Sequence, residues 1–403
     1  SLGTGRWVRR LKVATMPELF GKMYGQKIRL FVCAVIALQT FVILTIETQG
    51  LGTVFNALSA GKVSVAMGAI IGGIIGIFYV IIAGMKEVGM VNVVNVIVMY
   101  VGLIAAAIIL GHVLPGNGWS DFEAYFMSSG QEHMLNFFGA PGVFFSFALN
   151  NILALLCAQS VSQMGVQSAI AARSEKDIKR AVLVSAPVNG IFGLITMTMG
   201  LAGKYMVETG NLSLPEGVKA TGQAIGTQVI IQMMPGWVVC LLLAAFLGAI
   251  LSTFAITTMA LGSIFLNNIY ILKHRDASEK QKTMVVRIMI VITGVVAMAI
   301  ASKLPNIINS ANWSFAWITP LFFTLVFGLF WKQSRVGAAA TMGVSWIVIL
   351  LYTFTPLPSV LGITLPLIYI VLIVCIVVGV ISYAVTKGER GYMILWKEEH
   401  GIR

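Results

Sequence analysis

The chain has 403 residues, of which 58% are apolar and 10% are charged. Soluble domains carry about 25% charged residues, so the composition excludes an ordinary soluble enzyme, a disordered chain and a nucleic-acid-binding domain. The net charge of +12 is explained by cytoplasmic loops rich in Lys and Arg, with no nucleic acid as a partner. The sequence therefore predicts an all-α polytopic membrane protein that spans a lipid bilayer.

Ten apolar runs are long enough to cross a bilayer, which takes about 20 residues for each crossing. They lie near residues 28–56, 65–84, 90–112, 141–166, 179–203, 236–267, 284–302, 312–331, 335–354 and 363–386. The runs are continuous rather than alternating, which favours helices over the strands of a barrel. We predict one transmembrane domain over residues 1–403, with a loop at 1–27 that includes a short amphipathic piece, ten helices within 28–386 and a tail at 387–403.

The distribution of positive charge predicts how these spans are oriented. With residues 1–27 in the cytoplasm and alternating spans, 23 Lys and Arg fall inside and four fall outside, namely Lys62, Lys204, Lys219 and Lys303. An excess of Lys and Arg marks cytoplasmic loops. The protein is therefore expected to lie in a plasma or inner membrane, with both chain ends in the cytoplasm. The predicted outer loop at 112–140 holds Phe122, Tyr125 and Phe126, which indicate a short helix on the membrane surface.

Glu47 is the clear ionisable residue inside a predicted span, and Gln49 lies beside it. An ionisable group at bilayer depth is costly and is a functional candidate by default. Glu47 either faces a cavity as a ligand for solute or cation, or it reaches water near the outer interface. Both interpretations stay open, and Glu47 and Gln49 are candidates for a solute cavity.

Two further sets of amides lie in apolar runs. Asn92 and Asn95 are one helical turn apart and either line a polar path or join helices by hydrogen bonds, of which the second is favoured. Gln159, Gln163 and Gln167 repeat every four residues and are predicted to share one helix face. That face either lines a cavity, which makes Gln159 and Gln163 candidates for solute contact, or packs between helices.

Three residues of the sixth run, Ala249, Ser252 and Thr253, fall on one helix face. A carbonyl and two hydroxyls could present three oxygens to a small hard cation, which prefers oxygen ligands. The alternative is that the two hydroxyls bond back to a carbonyl in the preceding turn. The spacing by itself favours this alternative.

Small residues in the spans predict packing rather than chemistry. Gly68, Gly72 and Gly76 form two overlapping small-xxx-small steps, typical of a helix-packing face. The cysteines also lie in apolar runs and are predicted to be buried core residues; they are Cys33, Cys157, Cys240 and Cys375.

Five stretches share the order and character of segments of one known family. They are residues 14–25 with Thr15-Met16-Pro17-Glu18, 78–84, 163–181, 251–270 with Ser252-Thr253, and 330–338 with Phe330-Trp331-Lys332. In this order they resemble segments of the sodium:solute symporter family, and they extend from residue 14 to about 345. The chain is identified as a divergent member of that family.

The resemblance implies a leucine-transporter-type inverted-repeat fold with five plus five core helices and alternating access. It also implies helices before Ser1, so we expect a fragment that lacks the extra first helix and the first two core helices. The family's core sodium site falls on Ala249, Ser252 and Thr253. The family's T-D-x-x-Q segment reads Val-Asn-Val-Val-Asn at residues 91–95, which puts a second sodium site in doubt.

The function that the resemblance implies is sodium-coupled import of a small organic solute, such as an amino acid, a carboxylate or a vitamin-like acid. Such a protein is not an enzyme and uses no cofactor other than sodium as the coupling ion. Two alternatives remain open: a proton-coupled transporter that uses Glu47, and a membrane sensor built on the same fold.

Overall fold

The computed structural model describes residues 4–59, 61–136, 138–214, 222–303 and 307–401. The first helices are α1 (Thr4–Arg10), α2 (Met16–Tyr24), α3 (Gln26–Leu58), α4 (Val65–Val113), α5 (Trp119–Ser128), α6 (Pro141–Val143), α7 (Asn150–Val161), α8 (Gln163–Ala171) and α9 (Glu175–Glu208). They are followed by α10 (Gly222–Met233), α11 (Gly236–Phe265), α12 (Ile271–Lys273), α13 (Glu279–Ala301), α14 (Ile307–Phe330), α15 (Arg335–Phe354), α16 (Leu357–Val360), α17 (Leu367–Val385) and α18 (Tyr392–Glu399). The other elements are a 3-10 turn at Glu132–Met134, π-helical turns at Phe144–Leu149 and Leu266–Tyr270, and an antiparallel ladder of β1 (Lys332–Gln333) with β2 (Glu389–Arg390).

The predicted number of membrane spans is confirmed over the described residues, where ten helical stretches are long and apolar enough to cross a bilayer. They are Gln26–Leu58, Val65–Ile82, Asn92–Val113, Pro141–Val161, Glu175–Glu208, Gly236–Lys273, Glu279–Ala301, Asn309–Phe330, Arg335–Phe354 and Leu367–Val385. Each overlaps one predicted run, with ends that differ by a few residues. Several spans extend past the predicted run because helical hydrogen bonding continues into polar flanks that hydropathy leaves out. Others are shorter, and the fourth ends at Val161 because the next residue, Ser162, has extended backbone.

The second and third spans lie on one continuous helix, α4, whereas the sequence analysis predicts a connection near residue 86. Gly76 of α4 lies against Phe254, and Asn95 of α4 lies against Gly248. A straight helix would place residues 76 and 95 about 28 Å apart, whereas residues 248 and 254 of α11 are about 9 Å apart. The helix is therefore bent between the two contacts, so that one helix carries two spans.

The predicted glycine packing face on α4 is confirmed. A Cβ at Gly72 would lie 2.6 Å from Cβ of Leu51, and a Cβ at Gly68 would lie 2.8 Å from the carbonyl oxygen of Gly52. Both contacts join α4 to the end of α3. Helix backbones approach this closely in membranes only where side chains are absent or small.

The chain forms two compact units. The first consists of Ser1–Ile46, Phe145–Arg180 and Ile256–Arg403, and the second of Glu47–Phe144 and Ala181–Ala255. In the first unit α14 packs against α7, α15 and α17. The core of the second unit contains buried residues of α4, α5, α9 and α10.

Two short helices outside the spans belong to the second unit. The short helix predicted within residues 112–140 is confirmed as α5, whose Phe122 and Phe126 are buried and whose Phe122 meets Tyr205 edge to face. Its place on the membrane surface stays a prediction. The α10 helix was not predicted, and it packs Ile225 and Val229 into the same core. Its 12 residues are too few to register as a span.

One cysteine differs from the prediction of burial. Cys33, Cys157 and Cys375 are buried, but Cys240 is exposed on α11. In a bilayer the outward face of a helix is apolar as well, so an apolar run does not show which of its residues face the protein interior.

Candidate functional site

The predicted cation residues lie within one turn of α11, in the second unit. The Ser252 hydroxyl donates a hydrogen bond to the Ala249 carbonyl oxygen at 2.7 Å, and the Thr253 hydroxyl donates to the same oxygen at 3.3 Å. Both hydroxyls therefore form the hydrogen bonds to the preceding turn that their spacing favours. These bonds place both hydroxyl oxygens close to the Ala249 carbonyl oxygen.

The two separations from the Ala249 carbonyl oxygen, 2.7 and 3.3 Å, can be compared with those between the ligands of a small hard cation. Ligand oxygens about 2.4 Å from a hard cation lie about 3 Å from one another, which matches both oxygen separations in the turn. Each hydroxyl oxygen keeps lone pairs while it donates its proton. Binding of a cation at this turn stays a prediction.

The surroundings of this turn include α4 and α3. The Asn95 side chain lies against Gly248, where a Cβ would come within 2.6 Å of its Oδ1, which supports the interpretation that Asn95 joins helices. Asn92 Oδ1 is buried and has no hydrogen-bond partner among the described residues. The α3 helix meets α11 at Gly50, where a Cβ would lie 3.4 Å from Ile250 Cδ1.

Glu47 lies one turn before Gly50 on α3 and is half-buried. It forms no ion pair with any described residue. Gln49, also half-buried, accepts a hydrogen bond from the Thr53 hydroxyl at its backbone carbonyl. The carboxylate of Glu47 therefore lies within about one turn of the level at which α3 meets the helix of the oxygen cluster.

The predicted glutamine face is wrong. Ser162 has extended backbone (φ −64°, ψ 132°) and separates α7 from α8, so Gln159 and Gln163 lie on different helices and Gln167 shares a helix only with Gln163. A spacing of four residues defines one face only while the helix continues. Gln159 is exposed, whereas Gln163 is wholly buried. Contact of Gln159 and Gln163 with solute stays a prediction.

Two buried polar residues of the first unit were not predicted from the sequence. Gln39 of α3 and Ser310 of α14 are 4% and 5% exposed, and their side-chain oxygens have no partner among the described residues. Asn150 Oδ1 and Trp317 Nε1 are also buried and have no hydrogen-bond partner among the described residues. Unpaired polar atoms are costly to bury. The sequence shows that such a polar residue lies in or beside an apolar run. It does not show whether the side chain is buried in the protein or faces outward.

The ten apolar spans within the described residues indicate a multi-pass membrane protein. The sequence model of the Sodium:solute symporter family matches residues 4–345. The chain belongs to this family, whose members are transporters rather than enzymes. No curated protein matches the sequence.

A solved structure confirms the fold. The structure of a Na+-coupled sialic acid symporter, in a substrate-bound outward-open state that reveals a novel Na+ site, matches with a TM-score of 0.77. The two sequences are 18% identical, and the match covers 95% of this chain and 79% of that chain. The predicted leucine-transporter-type fold is therefore correct.

Proposed function

We propose that the protein is a sodium-coupled symporter that imports a small organic solute across a plasma or inner membrane by alternating access. Membership of the family supports sodium-coupled symport. The observation that carries the site is the convergence of the Ala249 carbonyl with the Ser252 and Thr253 hydroxyls. Sodium bound there is a transported ion that stabilises the outward-open state, and its coupling to the solute is reciprocal.

The proposed solute is an amino acid, a carboxylate or a vitamin-like acid. The sialic acid of the structural neighbour is itself a carboxylate, and it is the first compound to assay. The buried polar atoms of Gln39, Asn150, Ser310 and Trp317, which have no hydrogen-bond partner in the part of the chain that the structure describes, are proposed as hydrogen-bond partners for such a solute. Their pairing with solute would remove the cost of burying them alone.

The test of the sodium site is the substitution Ser252→Ala, with Ser263→Ala on the same helix as the matched control. We expect Ser252→Ala to weaken sodium binding by about tenfold or more, because a hydrogen-bond or ligand contact to a charge is worth about 1.5–3 kcal/mol. Ser263→Ala should leave sodium affinity unchanged.

Sodium binding is measured by tryptophan fluorescence of the purified protein, with potassium at matched ionic strength as the reference. Trp237, Trp313 and Trp317 supply the signal. A saturable, sodium-specific change that Ser252→Ala weakens supports the proposal. Equal sodium affinity in Ser252→Ala, Thr253→Ala and the native protein would show that the ion binds elsewhere.

Proton coupling is the second candidate, because Glu47 is a carboxylate within a span and forms no ion pair with a described residue. A proton-coupled carrier needs such a titratable group at depth. Glu47→Gln should then abolish uptake driven by a pH gradient, whereas Glu47→Asp should retain part of it. Uptake in proteoliposomes that follows the sodium gradient and survives Glu47→Gln would dismiss this candidate.

A further inference from the structure

The π-helical turn at Phe144–Leu149 leads directly into α7, and Asn150 is the first residue after it. None of the six described side chains of this turn is buried, so their own packing does little to hold its conformation. Asn150 is 7% exposed, and its Oδ1 has no hydrogen-bond partner in the part of the chain that the structure describes. Single π-turns are rare and are frequent at functional sites. A weakly packed turn thus precedes an amide that we propose as a solute contact.

The turn is held from outside by a tyrosine of α17. The Tyr369 hydroxyl donates a hydrogen bond to the Phe145 carbonyl oxygen at 2.5 Å, at the short end of the range for O–H···O bonds. Tyr369 lies in the first turn of α17, where Ile368 and Val371 are 2% and 0% exposed. These buried neighbours fix the start of α17, and a tyrosine side chain has few rotatable bonds. Tyr369 therefore presents its hydroxyl from a rigid base.

The carbonyl that Tyr369 contacts also takes part in the hydrogen bonding of the turn. In a π-turn each carbonyl pairs with the N–H five residues further on, whereas in an α-helix it pairs with the N–H four residues further on. The last such pair of this turn joins the Phe145 carbonyl to the N–H of Asn150, and the α-helical alternative would join it to the N–H of Leu149. A carbonyl oxygen has two lone pairs and accepts both bonds. One oxygen atom thus links Tyr369 to the backbone of Asn150.

A second tyrosine offers a matched comparison. The Tyr352 hydroxyl of α15 donates to the Leu365 carbonyl oxygen at 3.0 Å, just before α17. Tyr352, Tyr369, Phe145 and Asn150 all belong to the first unit. The two tyrosines form the same kind of bond to a backbone carbonyl, but only the acceptor of Tyr369 lies in the turn. An effect that is specific to Tyr369 is therefore an effect of the turn.

We infer that Tyr369 is a positioning residue for the solute site, because through the Phe145 carbonyl it holds the turn in its π form and so sets the position of Asn150. In this position Asn150 Oδ1 accepts a hydrogen bond from a donor group of the solute, a hydroxyl or an ammonium. Loss of the Tyr369 hydroxyl lets the turn relax toward α-helical bonding, which moves the amide. The solute contact rests on the proposed function, whereas the link from Tyr369 to the backbone of Asn150 does not.

The first experiment is hydrogen–deuterium exchange at the Asn150 amide, read at residue level in the full chain. Tyr369→Phe is compared with Tyr352→Phe, and both substitutions keep the aromatic ring. We expect exchange at Asn150 to be about three- to tenfold faster in Tyr369→Phe, the effect of losing one hydrogen bond. Tyr352→Phe should leave it unchanged. Equal exchange in the two variants would overturn the link between Tyr369 and the turn.

The second experiment measures uptake of sialic acid into proteoliposomes under a sodium gradient. We expect Tyr369→Phe to raise KM about three- to tenfold at an unchanged kcat, because a misplaced contact weakens binding of the solute without touching later steps. Tyr352→Phe should change neither quantity. An unchanged KM in Tyr369→Phe, or a fall in kcat alone, would overturn the positioning role.

A double-mutant cycle separates positioning from general support. In an Asn150→Ser background, Tyr369→Phe should raise KM little further, since Tyr369 acts through Asn150 and the two effects are then not additive. Equal increases in the two backgrounds would overturn the action through Asn150. Absence of sialic acid uptake by the native protein would count against the proposed solute and would remove the solute role of Tyr369. The exchange contrast would still decide whether Tyr369 holds the turn.

Discussion

At the scale of single residues, Tyr24 shows how a polar group outside the spans joins three helices. Its hydroxyl donates to the Thr324 carbonyl at 2.7 Å and therefore accepts from the Tyr383 hydroxyl, also at 2.7 Å. Burial raises the pKa of Tyr24 well above its ordinary value, and the nearby Tyr383 adds to the shift. The pair ties α2 to α14 and α17.

Removing this hydroxyl should cost stability. We expect Tyr24→Phe to lower the free energy of unfolding by about 1–2 kcal/mol, because it breaks buried hydrogen bonds and leaves their partners unpaired. Tyr392→Phe, at a half-buried tyrosine of α18, is the matched control and should change little. Thermal unfolding in detergent measures both, and equal loss in the two variants would contradict the role given to the Tyr24 hydroxyl.

The raised pKa of Tyr24 predicts that the stability of the folded protein depends on pH. The folded state keeps Tyr24 neutral, so its contribution is fully present below the ordinary tyrosine pKa of about 10. Above that pH the unfolded chain loses the proton more readily than the folded chain does, and the contribution declines. The stability difference between native protein and Tyr24→Phe should therefore shrink as pH rises above about 10. A difference that stays constant would contradict the raised pKa.

At the scale of helices, close packing depends on which glycine faces a neighbour. On α9, a Cβ at Gly203 would lie 2.6 Å from methyl carbons of Ile225 and Val229 on α10, whereas a Cβ at Gly200 would meet nothing within 4 Å. The two glycines lie three residues apart on the same helix, so residue type does not distinguish them. Only the arrangement of the helices distinguishes them.

This pair gives a test of packing. Gly203→Val should destabilise the protein by about 1–3 kcal/mol, the usual cost of forcing extra carbon atoms into a packed contact. Gly200→Val on the same helix should have little effect. Thermal unfolding in detergent measures both, and similar stability of the two variants would show that α10 does not pack on α9 as described.

At the scale of the whole molecule, the charge distribution predicts an orientation that the fold by itself does not supply. We expect Lys62→Cys to be labelled by a membrane-impermeant maleimide in intact cells, because residue 62 falls outside. Lys280→Cys should react only after permeabilisation. Both residues are exposed, and Cys240→Ser removes the exposed native thiol. The reverse labelling pattern would show that the orientation is inverted.

The membrane class and the ten spans could be predicted from the sequence, because each follows from local composition. A stretch of about 20 apolar residues is stable in a bilayer as a helix whatever surrounds it, since helices satisfy their own backbone polar groups. The turn with Ala249, Ser252 and Thr253 was also predictable, because its three oxygens lie within one turn of one helix. The small-residue face of α4 followed from spacing for the same reason.

Only the tertiary structure decided the break at Ser162, the bend of α4 and the contacts of Gln163. The sequence from Gln159 to Gln167 contains no proline that would end a helix. Met16, whose N–H donates a hydrogen bond to Gln163 Oε1, lies 147 residues away. Likewise, burial of Gln39 and exposure of Cys240 depend on which helix lies beside each face. Local composition determined what crosses the membrane, whereas contacts between distant residues decided which polar groups are paired, because pairing requires two chain segments to meet.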